Sequence, residues 1–424
     1  MKTPSSNPLR EGRWRFLFLA VATILISSCA SYTSATKKGM DAFAHRDFQA
    51  AESVYSPGAD ADGKDQLVYL FDRATVRNAA GEYRESAQDF KLADQLSEIK
   101  NYTALATEVA TVITNDRILT YKGEEFEHVL VSTYLALNYA GLGQDENAAV
   151  AARQVNRKLE RLRDEGKRKY HLNAFSQYLA GLLFERMGNW NFAYVDYKKA
   201  FSLNPDFEPL RQDLIRGALQ MDSGNDLDKW KRQLGVTPGE LKEASKNMRT
   251  KGSVVLLYQN GFAPEKVPSQ QWAELPEYRL RFNKHRAARL YLDGEEVART
   301  KVLFNVEQAA LDNMREKFAG FLLKRAAGVA TRVVVAKAID KNNPGLGTLV
   351  ALAMGAASQV DLRSWTTLPK DFQVARVEMK PGSYEASVRL EDTYGNLSAP
   401  RSLGQVEVKR PGSVSLLQFR SLND

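Results

Sequence analysis

Three patterns of apolar and polar positions follow one another along the chain. Lys2, Arg10, Arg13 and Arg15 precede an apolar run from Phe16 to Ile26. That run is too short for a membrane span, which takes about 20 apolar residues, and it reads as a secretory signal segment over residues 1–28. From 29 to 222, apolar and small residues recur at intervals of three and four, which predicts amphipathic helices. After Lys251 the period drops towards two, which predicts strands. SVVLLYQNGFAPEKV reads as a buried strand ending in a turn at Asn260-Gly261, and ARLYLDGEEVART as a hairpin on Asp293-Gly294. VARVEMKPGSYEASV spans two strands around Pro381-Gly382, and GQVEVKRPGSVSLLQF supplies the last two. Antiparallel hairpins at this spacing predict a small sandwich.

One stretch breaks the strand pattern. Over 306–339, Met314, Phe318, Phe321, Leu322, Val329 and Val333 share one helical face, and a glycine- and alanine-rich apolar segment follows. The predicted fold class is α+β and multidomain. An α-solenoid of helix pairs (29–222) leads through a helical connector (223–250) to a β-sandwich-like, antiparallel domain (251–424) with an inserted helical hairpin at about 306–357. The insertion carries Lys324, Arg325, Arg332 and Lys337. It reads either as a cover for one sheet or as a cationic amphipathic element touching a membrane or a partner.

The helical part repeats. In GNWNFAYVDYKKAFSLNP, Gly188, Trp190, Ala193, Tyr197, Ala200 and Pro205 stand at fixed intervals, with Gly181 on the preceding helix. Gly81, Tyr83, Ser86, Phe90 and Ala93 repeat the spacing; Gly143, Ala148, Ala152 and Val155 repeat it with Asp145 in place of the aromatic; Gly39, Phe48, Ala51 and Tyr55 repeat it again. These positions resemble the tetratricopeptide repeat, an array of helix pairs. The resemblance implies that these glycines, alanines and aromatics are packing residues and that one face of the stack receives a protein partner.

The chain's only cysteine closes the signal segment. Ile26-Ser27-Ser28-Cys29 resembles the bacterial lipobox. The resemblance implies cleavage before Cys29, a diacylglyceryl group on its thiol and an acylated N-terminus. Several acyl chains anchor stably where one binds marginally. Ala30, with no Asp after the cysteine, resembles the default outer-membrane sorting pattern, with the periplasmic face expected. An ordinary secretory signal with an incidental cysteine is the other reading. With no second cysteine there is no internal disulfide, so packing must hold the fold.

Charge is uneven. The formal net charge is +8, and residues 251–424 hold 25 Lys/Arg against 18 Asp/Glu. That excess favours an anionic partner such as lipid headgroups or glycan strands. Nucleic acid is not expected for an exported lipoprotein.

Catalytic chemistry has little to stand on. His45, His128, His171 and His285 fall in no metal-binding spacing, and no nucleophile elbow or phosphate-binding glycine loop occurs. DADGKD (60–65) lacks the glutamate that completes a calcium loop. No cofactor, metal or enzymatic activity is expected. The segment 361–388, with Arg363, Ser364, Trp365, Leu368 and Pro369, is similar to that of a poorly characterised family of tetratricopeptide-containing bacterial lipoproteins. YQNGFAPEKV (258–267) fits the same family. That resemblance implies a scaffold in cell-envelope assembly. The alternative is a glycan-directed envelope enzyme, or an activator of a peptidoglycan synthase.

Overall fold

The computed structural model describes residues 31–107, 120–164, 173–271, 275–318, 320 and 360–422. The signal segment with Cys29, the cations Lys324, Arg325, Arg332 and Lys337, and most of the insertion predicted at 306–357 lie outside them; of that insertion, 306–318 are helical.

Eight helices form successive pairs: α1 (Ser31–Ala44) with α2 (Phe48–Asp60), α3 (Gln66–Ala80) with α4 (Tyr83–Thr107), α5 (Glu125–Gly141) with α6 (Asp145–Asp164), and α7 (Ala174–Arg186) with α8 (Trp190–Leu203). Each packs on the next along the array. One contact recurs at a separation of sixteen residues. A Cβ at Gly39 would meet the Tyr55 ring at 2.4 Å, and one at Gly181 would meet the Tyr197 ring at 2.7 Å. A small residue on the first helix thus lets the aromatic of the second lie against its backbone. Phe90, Ala148, Ala193, Tyr197 and Ala200 are buried in such contacts, and Tyr83 lies against Gly141.

Three residues predicted as packing positions act differently. Gly81, Gly143 and Gly188 take φ of +84°, +69° and +75°, and a Cβ on any of them would meet nothing within 4 Å. They end first helices in the left-handed conformation that glycine adopts without penalty. The following amide turns back, as from Asn189 to the Phe184 carbonyl at 2.8 Å. Trp190 is only half-buried and Pro205 is exposed beyond the end of α8.

The stretch expected as a connector extends the array. After α9 (Pro209–Gln220), α10 (Gly224–Leu234) buries Trp230, whose indole N–H donates to the Tyr194 hydroxyl at 2.8 Å. Then α11 (Pro238–Thr250) opens on a Thr237–Glu240 capping box and leads into the strands.

Among the described residues ten strands follow: β1 (Gly252–Asn260), β2 (Glu265–Pro268), β3 (Pro276–Arg279), β4 (His285–Leu292), β5 (Glu295–Arg299), β6 (Lys301–Asn305), β7 (Asp371–Met379), β8 (Gly382–Asp392), β9 (Arg401–Val408) and β10 (Val414–Arg420). An inner sheet runs β10-β1-β7-β6, an outer sheet runs β5-β4-β8-β9, and β2-β3 form a ribbon. Val254, Leu256 and Tyr258 of the inner sheet pack on Ala288, Leu290, Val388 and Leu390 of the outer sheet.

The expectation of a wholly antiparallel sandwich is corrected at one edge. β10 pairs with β1 in parallel, from Ser253↔Val414 to Gln259↔Arg420. The reason lies in the corners. The chain passes from inner to outer sheet at Pro381-Gly382 and back through Arg410–Gly412, so these turns join strands of different sheets. Asp293-Gly294 is a true hairpin turn, with φ of +51° and +83° and antiparallel β4–β5 pairing.

The two halves share one core. Val255 and Leu257 of β1, Phe372 and Val374 of β7 and Val414 of β10 belong to the same buried cluster as Phe71, Tyr134 and Phe175 of the helices. Every residue of β1 is buried, which accounts for its unbroken apolar run: a strand covered on both faces does not alternate.

Candidate functional site: the sealed face of the helical array

Helices α3, α5 and α7 are buried nearly all round, because the second helices cover one side and the inner sheet the other. This inner face is where a helical-repeat protein would be expected to receive a partner. Here the chain itself fills it.

The filling is tightest at residues 363–368. Trp365 is 2% exposed. Its ring stacks on Phe71 at 4.6 Å and lies 5.5 Å from both Phe90 and Tyr134. Its indole N–H donates to Thr75 Oγ1 at 2.8 Å, and its backbone N–H to Glu127 Oε1 at 3.0 Å. The next two residues converge on Asp72 of α3. The amides of Thr366 and Thr367 donate to Asp72 Oδ1 at 3.0 Å each, and their hydroxyls donate at 3.1 and 2.9 Å. The Thr366 carbonyl accepts from Arg281, the Thr367 carbonyl from Arg420, and the Leu368 carbonyl from the Ala263 amide. Arg363 is held by Asp361 and by Asp65 at the start of α3. A buried extended segment must pair its backbone groups or lose their hydration. This one is paired by helices and sheet alike. Burial pushes the Asp72 carboxyl up to about 7, against the pull of its Thr367 and Thr366 donors.

Two ionic clusters flank the strap. On one side Glu124 accepts from Lys266 at 3.1 Å, from Asn313 at 2.7 Å and from Lys317. Burial opposes its charge, but Lys266 and Lys317 hold its carboxyl well below the ordinary range. Beside it, burial and then Lys158 bring His128 down to about 4, so its ring is neutral at pH 7. On the other side Arg376 of β7 donates to Glu185 of α7 at 2.6 and 2.9 Å and lies 3.0 Å from Asp213 of α9. Arg216 bonds Asp213, and the Tyr197 hydroxyl bonds Glu185. Burial would raise Glu185, yet Arg376 and Arg216 bring it down to about 2. Two carboxylates and two guanidiniums thus meet out of contact with water, with the half-buried Glu378 at the edge, 3.7 Å from Arg216.

The sequence positions sort accordingly. Phe90 and Tyr197 reach the sealed face, through Trp365 and Glu185. Gly181, Ala148, Ala193 and Ala200 stay within the helical layer. Of the acidic loop 60–65, Asp60 pairs with Arg73 and Asp65 with Arg363. Among the described residues no three His, Cys, Asp or Glu converge as metal ligands, and no helix is long and apolar enough to cross a membrane. Asp72, Glu127, Glu185 and Arg376 were not legible in the sequence as site residues.

The opposite side of the array is open. Phe192 and Val195 of α8 are 49% and 44% exposed, Val150 of α6 is 50% exposed, and Met187 and Met221 are 40% and 36% exposed. Met187, Trp190 and Met221 line one shallow depression. Arg153 lies over the Phe192 ring at 5.8 Å.

No known family matches the chain, and no curated protein matches it. Among solved structures, MamA is similar at 14% identity with a TM-score of 0.32, over 49% of this chain and 94% of that one. The MamA RS-1 ArsTM double mutant gives 12% identity and a TM-score of 0.34, over 50% of this chain and 94% of that one. A tetratricopeptide repeat protein from Parabacteroides merdae ATCC 43184 gives 16% identity and a TM-score of 0.31, over 50% of this chain and 70% of that one. The repeat reading here rests on the helix contacts described above.

Proposed function

We propose that the chain is a lipid-anchored scaffold that holds protein partners at the periplasmic face of the outer membrane during envelope assembly. Its rigid unit is the helical array clamped onto the inner sheet. The observation that carries the reading is the open apolar patch of Val150, Met187, Phe192, Val195 and Met221, set beside an inner face that the chain itself occupies. Exposed aromatic and methionine side chains with a neighbouring arginine have the composition of an interface centre. The partner is therefore taken on the second-helix side. The lipobox-like Ile26–Cys29 supports the anchor.

A photoreactive amino acid in place of Phe192 tests the scaffold. In intact envelopes it should give a discrete crosslinked protein, and Val195→Glu or Met221→Glu should abolish that product without changing thermal stability. No adduct from positions 150, 192 and 221 would overturn the reading. The anchor has its own test: Cys29→Ser should remove lipid labelling and release the protein from the membrane fraction, and equal labelling of the variant would refute it.

A further inference from the structure

We propose that the outer sheet is a second contact surface, one that lies against an anionic phospholipid membrane through a row of arginines and two exposed aromatic tips.

The row follows from strand register. Ala288 and Leu290 of β4 and Val388 and Leu390 of β8 face the sandwich core, so Arg289 and Arg389 between them face outward. Arg289 pairs directly with Arg299 of β5 on one side and with Arg389 on the other. Like charges directly opposite each other across strands are destabilising. The sheet manages this with one carboxylate. Glu391 accepts from Arg286 Nε at 2.7 Å, from Arg289 Nε at 2.9 Å and from Arg299 Nε at 2.8 Å. Glu296 takes a further bond from Arg289 at 3.0 Å, while Arg389 has only the Ser398 carbonyl, at 2.9 Å. Three guanidiniums thus share two carboxylates, and Arg389 stands beside them with none. Arg286 and Arg299 remain 48% and 40% exposed. Among the described residues, both Nη atoms of Arg389 are without an acceptor. Glu391 splays three guanidiniums across the face before any ligand arrives, and a guanidinium matches a phosphate in geometry as well as in charge.

Apolar side chains stand at one end of the same sheet. The pair His285↔Asp392 closes that end. Phe282, three residues before it, is 83% exposed; Tyr394, two residues after it, is 89% exposed; Leu280 is 56% exposed. None of them covers a core. Aromatic residues settle at the headgroup level of a bilayer, and basic residues near an anionic leaflet strengthen the contact with a strong dependence on salt. A protein partner would use the same side chains, so binding to vesicles separates the two readings. The surface goes beyond the scaffold reading and lies on the β half, so either can fail alone.

The test uses the chain beginning at Ser31, which keeps every described contact, and vesicles of phosphatidylcholine with or without an equal part of phosphatidylglycerol. The protein should sediment with the mixed vesicles at low salt, release as salt rises, and ignore phosphatidylcholine alone. Arg389→Gln, which leaves the Glu391 cluster whole, should weaken binding about five-fold. Phe282→Ser with Tyr394→Ser should weaken it at least as much, with thermal stability unchanged in both. Absence of salt-sensitive binding overturns the proposal. So does binding that survives these variants and is lost instead on changing Lys324, Arg325 and Arg332 to glutamine, since the contact would then belong to the insertion.

Discussion

Two of the arginine–carboxylate clusters among the described residues are built by opposite rules. Between helices and inner sheet, Glu185 and Asp213 face Arg216 and Arg376, each at most 6% exposed, and the partly exposed Glu378 lies at the edge, 3.7 Å from Arg216. On the outer sheet, Glu391 is as deeply buried, yet it serves three guanidiniums that reach solvent. Low dielectric penalises excess charge where water is shut out, because each unpaired ion loses its hydration. Where water has access the same residue types can carry a surplus, and that surplus is free to act on something outside the chain. The first cluster locks two halves together; the second holds a surface in readiness.

Removing one member from each should expose the difference. The largest effect is expected on the sealed side. Arg376→Ala would leave the buried Glu185 and Asp213 to Arg216 alone, at a cost of about 3–5 kcal/mol. Trp365→Ala would empty the space between Phe71, Phe90 and Tyr134, at a similar cost. Urea denaturation measures both, and a loss below about 1 kcal/mol in either would mean that the halves are not packed as one body. Asp72→Ala comes next. It orphans the amides and hydroxyls of Thr366 and Thr367 and should cost about 2–3 kcal/mol.

Asp72 also carries a pH signature. Burial raises its folded pKa to about 7, above the unfolded value near 3.9. The folded state therefore binds the proton more tightly, and this carboxyl should weaken the fold as pH rises from about 4 to 7. Asp72→Asn, which stays neutral, should remove that fall, worth at most about 1.4 kcal/mol per pH unit. Parallel stability curves for the wild type and the variant over that range would contradict it.

Legibility from the sequence followed range. The intervals of three and four and the Asp293-Gly294 hairpin are local features, each with a recognisable residue at a fixed offset; the same pattern marked Gly81, Gly143 and Gly188, though as packing residues and not as left-handed helix ends. What escaped is long-range. Trp365 meets Thr75 across 290 positions and Arg376 meets Glu185 across 191, and no local period encodes such pairs. The corner turns misled for a related reason. Pro381-Gly382 reads alike whether the next strand continues the same sheet or begins another, so the parallel β1–β10 edge stayed hidden. One clue was available: the unbroken apolar run of β1 calls for cover on both faces, and the helical array is what supplies the second cover.

The smallest effect is expected on the open side, and its sign in pH is the reverse of that for Asp72. Hydrogen bonds from Arg299, Arg286 and Arg289 hold the Glu391 carboxyl down to about 2, against the cost of burial. Its folded pKa lies below the unfolded value near 4.3, so the stability it contributes is fully present above that value and is lost as pH falls towards 2. Glu391→Gln keeps the shape and removes the charge. At pH 7 it should cost about 1 kcal/mol, because water can hydrate the released guanidiniums in a way it cannot at Arg376. The gap between wild type and variant should then close between about pH 4 and pH 2. A loss as large as that of Arg376→Ala would show that the outer arginines are held as tightly as the sealed ones and have no surplus to offer a membrane. A small loss, accompanied by unchanged or stronger binding to phosphatidylglycerol vesicles, is what a surface prepared for phosphate predicts, since the variant removes the chain's own competing carboxylate.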